Sequence, residues 1–205
     1  MSKYKYEYIL AFDPSGSFTE GKGTTGWVLM DAKTRLIARG YVSAEDYKCT
    51  EEYWNAVIDL INYNHKKYGA NLIVVIEDYI LYRERSMNQT NSKMETCRLI
   101  GAMQYICWRL KQDYSMQLAA SVKDRWSDDL LLREQILYRD RNNLIHTDSN
   151  LSLGLSHTRD AFRHAIHYAI CRNKERPKKK NNNAGVKKHG YFQRSNYMEA
   201  ENGRY

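Results

Sequence analysis

Apolar and polar positions alternate with two different periods along this chain, and each change of period marks an element. Residues 7–13 form an apolar run that ends on Asp13, with Pro14 and Gly16 close behind, the pattern of a buried strand closed by a turn. Strand-like stretches follow at 24–31 and 34–42, joined through Ala32 and Lys33, so the first third of the chain predicts a three-stranded antiparallel meander. At 50–67 the period becomes helical. Tyr53, Trp54, Val57, Ile58, Leu60 and Ile61 share one face, and Thr50 stands where a cap belongs. A second fully apolar run, LIVVIE at 72–77, then ends on Glu77. Strand, crossover helix and strand in this order predict a parallel pairing of 7–13 with 72–77 through a right-handed connection.

The second half continues the alternation of elements. Residues 83–93 are polar and charged and read as a loop beside the Glu77 end of its strand. A helix over 94–112 carries Met94, Cys97, Ile100, Met103, Cys107 and Leu110 on one face, with Leu99, Ala102, Ile106 and Trp108 on the other. A helix apolar nearly all round is either sandwiched in a core or shared with a partner subunit. Residues 115–126 predict a short fifth strand turning into a lysine-bearing segment. Ser127, Asp128 and Asp129 then start a helix to about residue 137, the two acids favouring its dipole as capping residues. The last helix spans 158–172, where Ala161, Ala165, Tyr168 and Ala169 lie near one face and allow close packing on a sheet. From Lys174 onward the sequence is too polar to fold alone. The chain thus divides into an α/β domain at 1–173 and a tail at 174–205, with no internal repeats.

Composition narrows the class. The 205 residues suffice for one domain with a substantial core. No apolar run approaches the roughly 20 residues that cross a bilayer, and the amino terminus lacks a signal-peptide pattern, so a cytoplasmic protein with no membrane partner is expected. Cys49, Cys97, Cys107 and Cys171 are far apart with no metal-binding spacing, which predicts reduced, mostly buried thiols. The net charge of +8 is concentrated at the end of the chain, where nine basic and three acidic side chains follow from Lys174. Such a tail, with Lys178, Lys179 and Lys180 in a row, suits an electrostatic arm for a polyanion.

Two motifs compete for the chemistry. The stretch from Gly16 to Gly23 nearly matches a phosphate-binding loop, but Gly23 stands where a Ser or Thr must hold magnesium, and a strand rather than a helix follows. The stronger pattern is a set of hard oxygen donors. Asp13 and Glu77 close neighbouring parallel strands at their carboxyl ends, where open α/β sheets place their sites. His157 and Asp160, three apart at a helix start, can complete a cluster suited to divalent metal and to phosphodiester hydrolysis. Each residue alone has a duller reading: Asp13 as a turn initiator, Asp160 as an exposed first-turn acid, and His164 and His167 as packed or solvated helix residues.

In combination these motifs resemble a known family. ILAFDPSG followed by TTGWVLMD looks like the opening hairpin of RuvC-like Holliday junction resolvases of the RNase H-like superfamily, and LIVVIED resembles their fourth strand with its catalytic Glu. HTRDAFRHAIHYA resembles their closing helix, and the likeness, closest to phage-encoded members, spans about 170 residues. The resemblance implies a five-stranded mixed sheet in the order 3-2-1-4-5 flanked by helices, and a magnesium-dependent nuclease in which manganese can substitute. It also implies a homodimer that nicks branched DNA in pairs, with the 94–112 helix as candidate interface. Carried over by position, Asp13, Glu77 and Asp160 match metal-binding carboxylates, and His157 falls where members have Asp or His. Lys123 falls near a basic residue directed at the DNA. Tyr79, Ile80 or Tyr82 matches the apolar residue inserted near the junction centre, with Arg83 and Arg85 beside them as DNA contacts. The longer SFTEGKGT turn and the basic tail depart from the bacterial pattern. A nuclease for flaps, forks or RNA:DNA hybrids and a non-catalytic junction-binding protein stay open as alternatives. An actin-like ATPase would need a second domain, for which 205 residues leave no room.

Overall fold

A computed structural model describes residues 4–18, 23–79 and 94–174. Five strands form one sheet: β1 (Tyr8–Asp13), β2 (Thr24–Asp31), β3 (Leu36–Ser43), β4 (Leu72–Asp78) and β5 (Tyr114–Leu118). Their order is β3-β2-β1-β4-β5. β1 to β3 pair antiparallel, whereas β4 runs parallel to both β1 and β5. The expected meander, crossover and strand order are all present.

Strict alternation along the central strands divides the core into two layers. Leu10 and Phe12 of β1 and Leu72, Val74 and Ile76 of β4 face one side, where they pack with α1 (Thr50–Tyr68) and α2 (Glu95–Leu110). Ile9, Ala11, Ile73 and Val75 face the other side, under α5 (Ser156–Cys171). Two short helices, α3 (Ala119–Lys123) and α4 (Asp128–Arg133), connect β5 to the α5 layer. Ala161, Ala165 and Ala169 are buried, so the small-residue face of α5 does lie close on the sheet.

Several boundaries differ from the sequence pattern for local reasons. Cys49, not Thr50, is the N-cap of α1, and Glu52 accepts instead from the Lys48 backbone N–H at 3.1 Å. β3 begins at Leu36, because Thr34 takes a left-handed φ of 69° in a turn whose Lys33 and Arg35 amides both donate to Asp31 Oδ1. The helix expected to reach residue 137 ends at Arg133. Gln135 adopts φ 58°, and Leu137 instead opens a hairpin, β6 (Leu137–Asp140) with β7 (Asn143–His146). That hairpin is held by Leu137, Leu144 and His146, the last edge-on to Phe162 of α5 with ring centroids 5.7 Å apart. All four thiols are free, but Cys107 alone is buried and the other three are half-buried. Among the described residues no helix is long and apolar enough to cross a membrane.

Candidate active site

Parity brings the first two acids together. Asp13 continues the Ile9 and Ala11 series and Glu77 the Ile73 and Val75 series, so both emerge on the α5 face. Phe12 pairs with Ile76 in parallel register, and the acids follow one position later on strands about 4.8 Å apart. The Pro14 turn beyond Asp13 is held by its own set of bonds. Ser15 N–H donates to Thr25 Oγ1 at 3.1 Å, Tyr53 Oη donates to the Ser15 carbonyl, and Gly16 N–H donates to Thr96 Oγ1 at 3.2 Å.

Gly26 admits the third element. It lies opposite Asp13 in the β1–β2 register, and a Cβ there would come within 2.2 Å of the His157 backbone carbon and 2.5 Å of the Thr158 nitrogen. Only a residue without a side chain lets the first turn of α5 rest on the strand. Thr158, itself buried, donates through Oγ1 to the Gly40 carbonyl at 3.1 Å and ties that turn to β3. This seating carries His157 to Asp13, where Nδ1 lies 2.7 Å from Oδ2, and turns Asp160 toward Glu77 across Lys123.

The electrostatics are those of neighbouring acids interleaved with basic groups. Burial pushes the Asp13 carboxyl above its usual range. The hydrogen bond from His157 opposes this, and the charges of Glu77 and Asp160 add to it. His157 is raised, first by its hydrogen bond to Asp13. Lys123 is lowered by burial but raised overall by Asp160 and Glu77; its Nζ lies 2.9 Å from Asp160 Oδ2 and 3.9 Å from Glu77 Oε1. Asp160 is also paired to Arg163, whose other guanidinium nitrogen reaches Asp128 at 2.6 Å. Asp128 therefore braces α5 as well as opening α4, whose cap is Ser127.

The fold matches solved structures. The RuvC of T. thermophilus in complex with Holliday junction substrate superimposes with a TM-score of 0.57 at 13% identity, over 80% of this chain and 93% of that one. A further Thermus thermophilus RuvC structure gives 0.52 at 15% identity, over 79% and 93%. The chain has the RuvC fold. No family model matches the chain, and no curated protein matches it by sequence.

Within this RuvC fold Asp13, Glu77, His157, Asp160 and Lys123 lie at one end of the sheet. Among the described residues no three His, Cys, Asp or Glu side chains converge closely enough to hold a metal ion in their present rotamers. Asp13 is turned to His157, Glu77 to His164, and Asp160 to Lys123 and Arg163. The donor set nevertheless fits a hard divalent cation: three carboxylates and an imidazole, with an ammonium spanning two of the acids where positive charge is wanted. Tyr79 packs against the α1–α2 core layer. Ile80, Tyr82, Arg83, Arg85 and Lys178 to Lys180 lie outside the described residues.

Sequence reasoning missed three contributors. Gly26 was legible as a glycine inside a strand, a sign of close backbone approach. Asp128 looked like a capping acid and is also an Arg163 partner. His164, fully buried, reaches Glu77 Oε2 with Nε2 at 2.9 Å across 87 positions of sequence. Its place four residues after Asp160 was the available signal.

Proposed function

We propose that this chain is a divalent-metal-dependent endonuclease that resolves branched DNA, four-way junctions foremost, by paired nicks. The observation that carries the reading is the gathering of Asp13, Glu77 and Asp160 from β1, β4 and α5 around Lys123 and His157. The charges of Glu77 and Asp160 oppose ionisation of Asp13, and a cation among the three acids relieves that opposition. The solved RuvC that contains a Holliday junction substrate supports the choice of DNA.

In this reading Asp13, Glu77, Asp160 and His157 hold the cation, magnesium or manganese. The chemistry supplied by a divalent cation, when bound, is activation of the attacking water and neutralisation of charge developing on the leaving 3′ oxygen. Ligation through His157 would require its neutral imidazole, so its proton would pass to solvent and its hydrogen bond to Asp13 would be lost. Lys123 leaves the carboxylates and turns its ammonium to the scissile phosphate. Arg163, anchored by Asp128, keeps Asp160 in orientation throughout.

Paired nicks require two such sites related by a two-fold axis, hence a homodimer. Tyr105 and Trp108 on α2 are 58% and 71% exposed with ring centroids 5.8 Å apart, and they support this helix as the interface. The basic tail adds affinity that is independent of sequence and weakens with salt. The test is cleavage of a labelled four-way junction beside a flap and a linear duplex of the same sequence, with magnesium, using wild type and Asp13→Asn. Symmetric nicks confined to the junction and lost in the variant are expected. Cleavage of all three substrates removes the specificity, and binding without cleavage under magnesium or manganese removes the enzyme.

A further inference from the structure

His164 sits one turn beyond Asp160 on α5, fully buried, between two side chains that face each other across the β4–β5 pairing. Its Nε2 lies 2.9 Å from Glu77 Oε2 and its Nδ1 lies 2.9 Å from Gln117 Oε1. An ionised carboxylate only accepts, so a bond between Nε2 and Glu77 puts the ring proton on Nε2. The second nitrogen then depends on which end of the Gln117 amide it meets.

With the amide oxygen against Nδ1, that nitrogen must carry a proton too, and the ring becomes a buried cation. Moving the proton to Glu77 instead leaves Nδ1–H donating to the same oxygen. Both arrangements strand the Gln117 amide nitrogen, which is then buried with no hydrogen-bond partner. The two ends of an amide are nearly isosteric, and hydrogen bonding chooses between them. Reversal turns the NH2 group to Nδ1 and exchanges an orphaned donor for an under-used carbonyl, the more tolerated of the two in buried positions.

We propose that His164 is a positioning residue for Glu77. Gln117 donates to Nδ1, which commits the single ring proton to Nε2, and Nε2–H holds Oε2 of Glu77. The other oxygen, Oε1, is thereby presented to Lys123 and the acids beyond it. One helix face then carries Asp160 and, four residues on, the anchor of its neighbouring acid, so a single seating of α5 orients both. The inference rests on the reading of Glu77 as a metal-binding carboxylate.

Long-range 1H–15N correlation spectra of the labelled full chain, with His164→Gln assigning the ring, are expected to show Nε2 protonated and Nδ1 bare. A proton on Nδ1, alone or together with one on Nε2, overturns the proposal. The second measurement is binding of manganese alone, followed by electron paramagnetic resonance. His164→Leu should weaken binding about 10- to 100-fold, the usual cost of losing a partner that orients a ligand. His164→Gln, whose amide can reach the place of Nε2, should restore most of it. Equal affinity in wild type and His164→Leu overturns the role. Should that variant fail to fold, Gln117→Leu leaves the ring in place but frees its tautomer; a fall in affinity supports the proposal and unchanged affinity overturns it. A wild-type chain with the expected tautomer that binds no manganese defeats the metal reading and the positioning role with it, leaving only the hydrogen bond.

Discussion

The first turns of α5 and its last turns bury themselves against the same sheet by different chemistry. Toward the C-terminus Ala165, Ile166, Tyr168 and Ala169 join Phe162 in the apolar layer, where removing carbon from water contributes about 25 cal/mol per Å². Toward the N-terminus His157, Thr158, Asp160, Arg163 and His164 are buried or half-buried and polar, and each is bound to a named partner on a strand or a neighbouring helix. Burial there carries a desolvation cost that the partners offset, so net stabilisation is small. The difference separates an apolar face that carries stability, begun at Phe162, from the polar candidate-site residues, whose first turn Gly26 seats on the sheet.

Substitutions should separate the halves. The largest loss of stability is expected for Phe162→Ala, about 3–5 kcal/mol by urea denaturation, with cleavage per folded molecule retained. If cleavage falls in step, the halves are not independent. Asp13→Asn is expected to do the reverse: cleavage down at least about a hundredfold, roughly 2.7 kcal/mol of barrier, with a melting temperature at or above wild type. The second half of that expectation follows from burial and neighbouring acids pushing the Asp13 carboxyl up, so that ionised Asp13 is a strained guest in the fold. Gly26→Ala sits between them. The added Cβ meets the His157 backbone, and both properties should suffer, stability by about 1–3 kcal/mol as for other overpacked positions. A variant that loses neither would mean that α5 has room to shift.

The smallest effect is in pH, and it differs in sign between the two regions. His157 is raised through its bond to Asp13, so in the metal-free chain it contributes stability below the ordinary imidazole range that is lost as pH rises through its folded value. His146, packed under Phe162, and His167, near the end of the helix, are lowered, first by burial. Below about 6.5 the unfolded chain takes up protons that these folded rings refuse, so they remove stability as pH falls. Urea denaturation at pH 5.5 and 8 should show His157→Asn losing stability on the acid side and His146→Gln losing less there than at the alkaline end. Equal responses in both variants would contradict the assignment.

The sheet was legible because its central strands bury both faces and read as unbroken apolar runs, and the parity of Ile9, Ala11 and Asp13 could be counted directly. The acids of the site were legible for the same reason, as each closes a strand or opens a helix. The hairpin at β6 and β7 was not. Its strands have four residues each, the turn of Arg141 and Asn142 is flanked by the polar Arg139, Asp140 and Asn143, and its few buried side chains follow no long period. His164 and Gln117 were hidden differently. Their significance lies in pairings with Glu77 and with each other across 87 and 47 positions, which no local pattern can express.

The central claim is that Lys123 keeps a place among the acids that a divalent cation, held by Asp13, Glu77, Asp160 and His157, takes in the working site. The most direct measurement is a crystal structure at saturating manganese with data collected for its anomalous signal. An anomalous peak among Asp13, Glu77, His157 and Asp160 is expected, with Lys123 Nζ withdrawn from the 2.9 Å contact to Asp160. No peak at these carboxylates, with Lys123 still on Asp160, would contradict it.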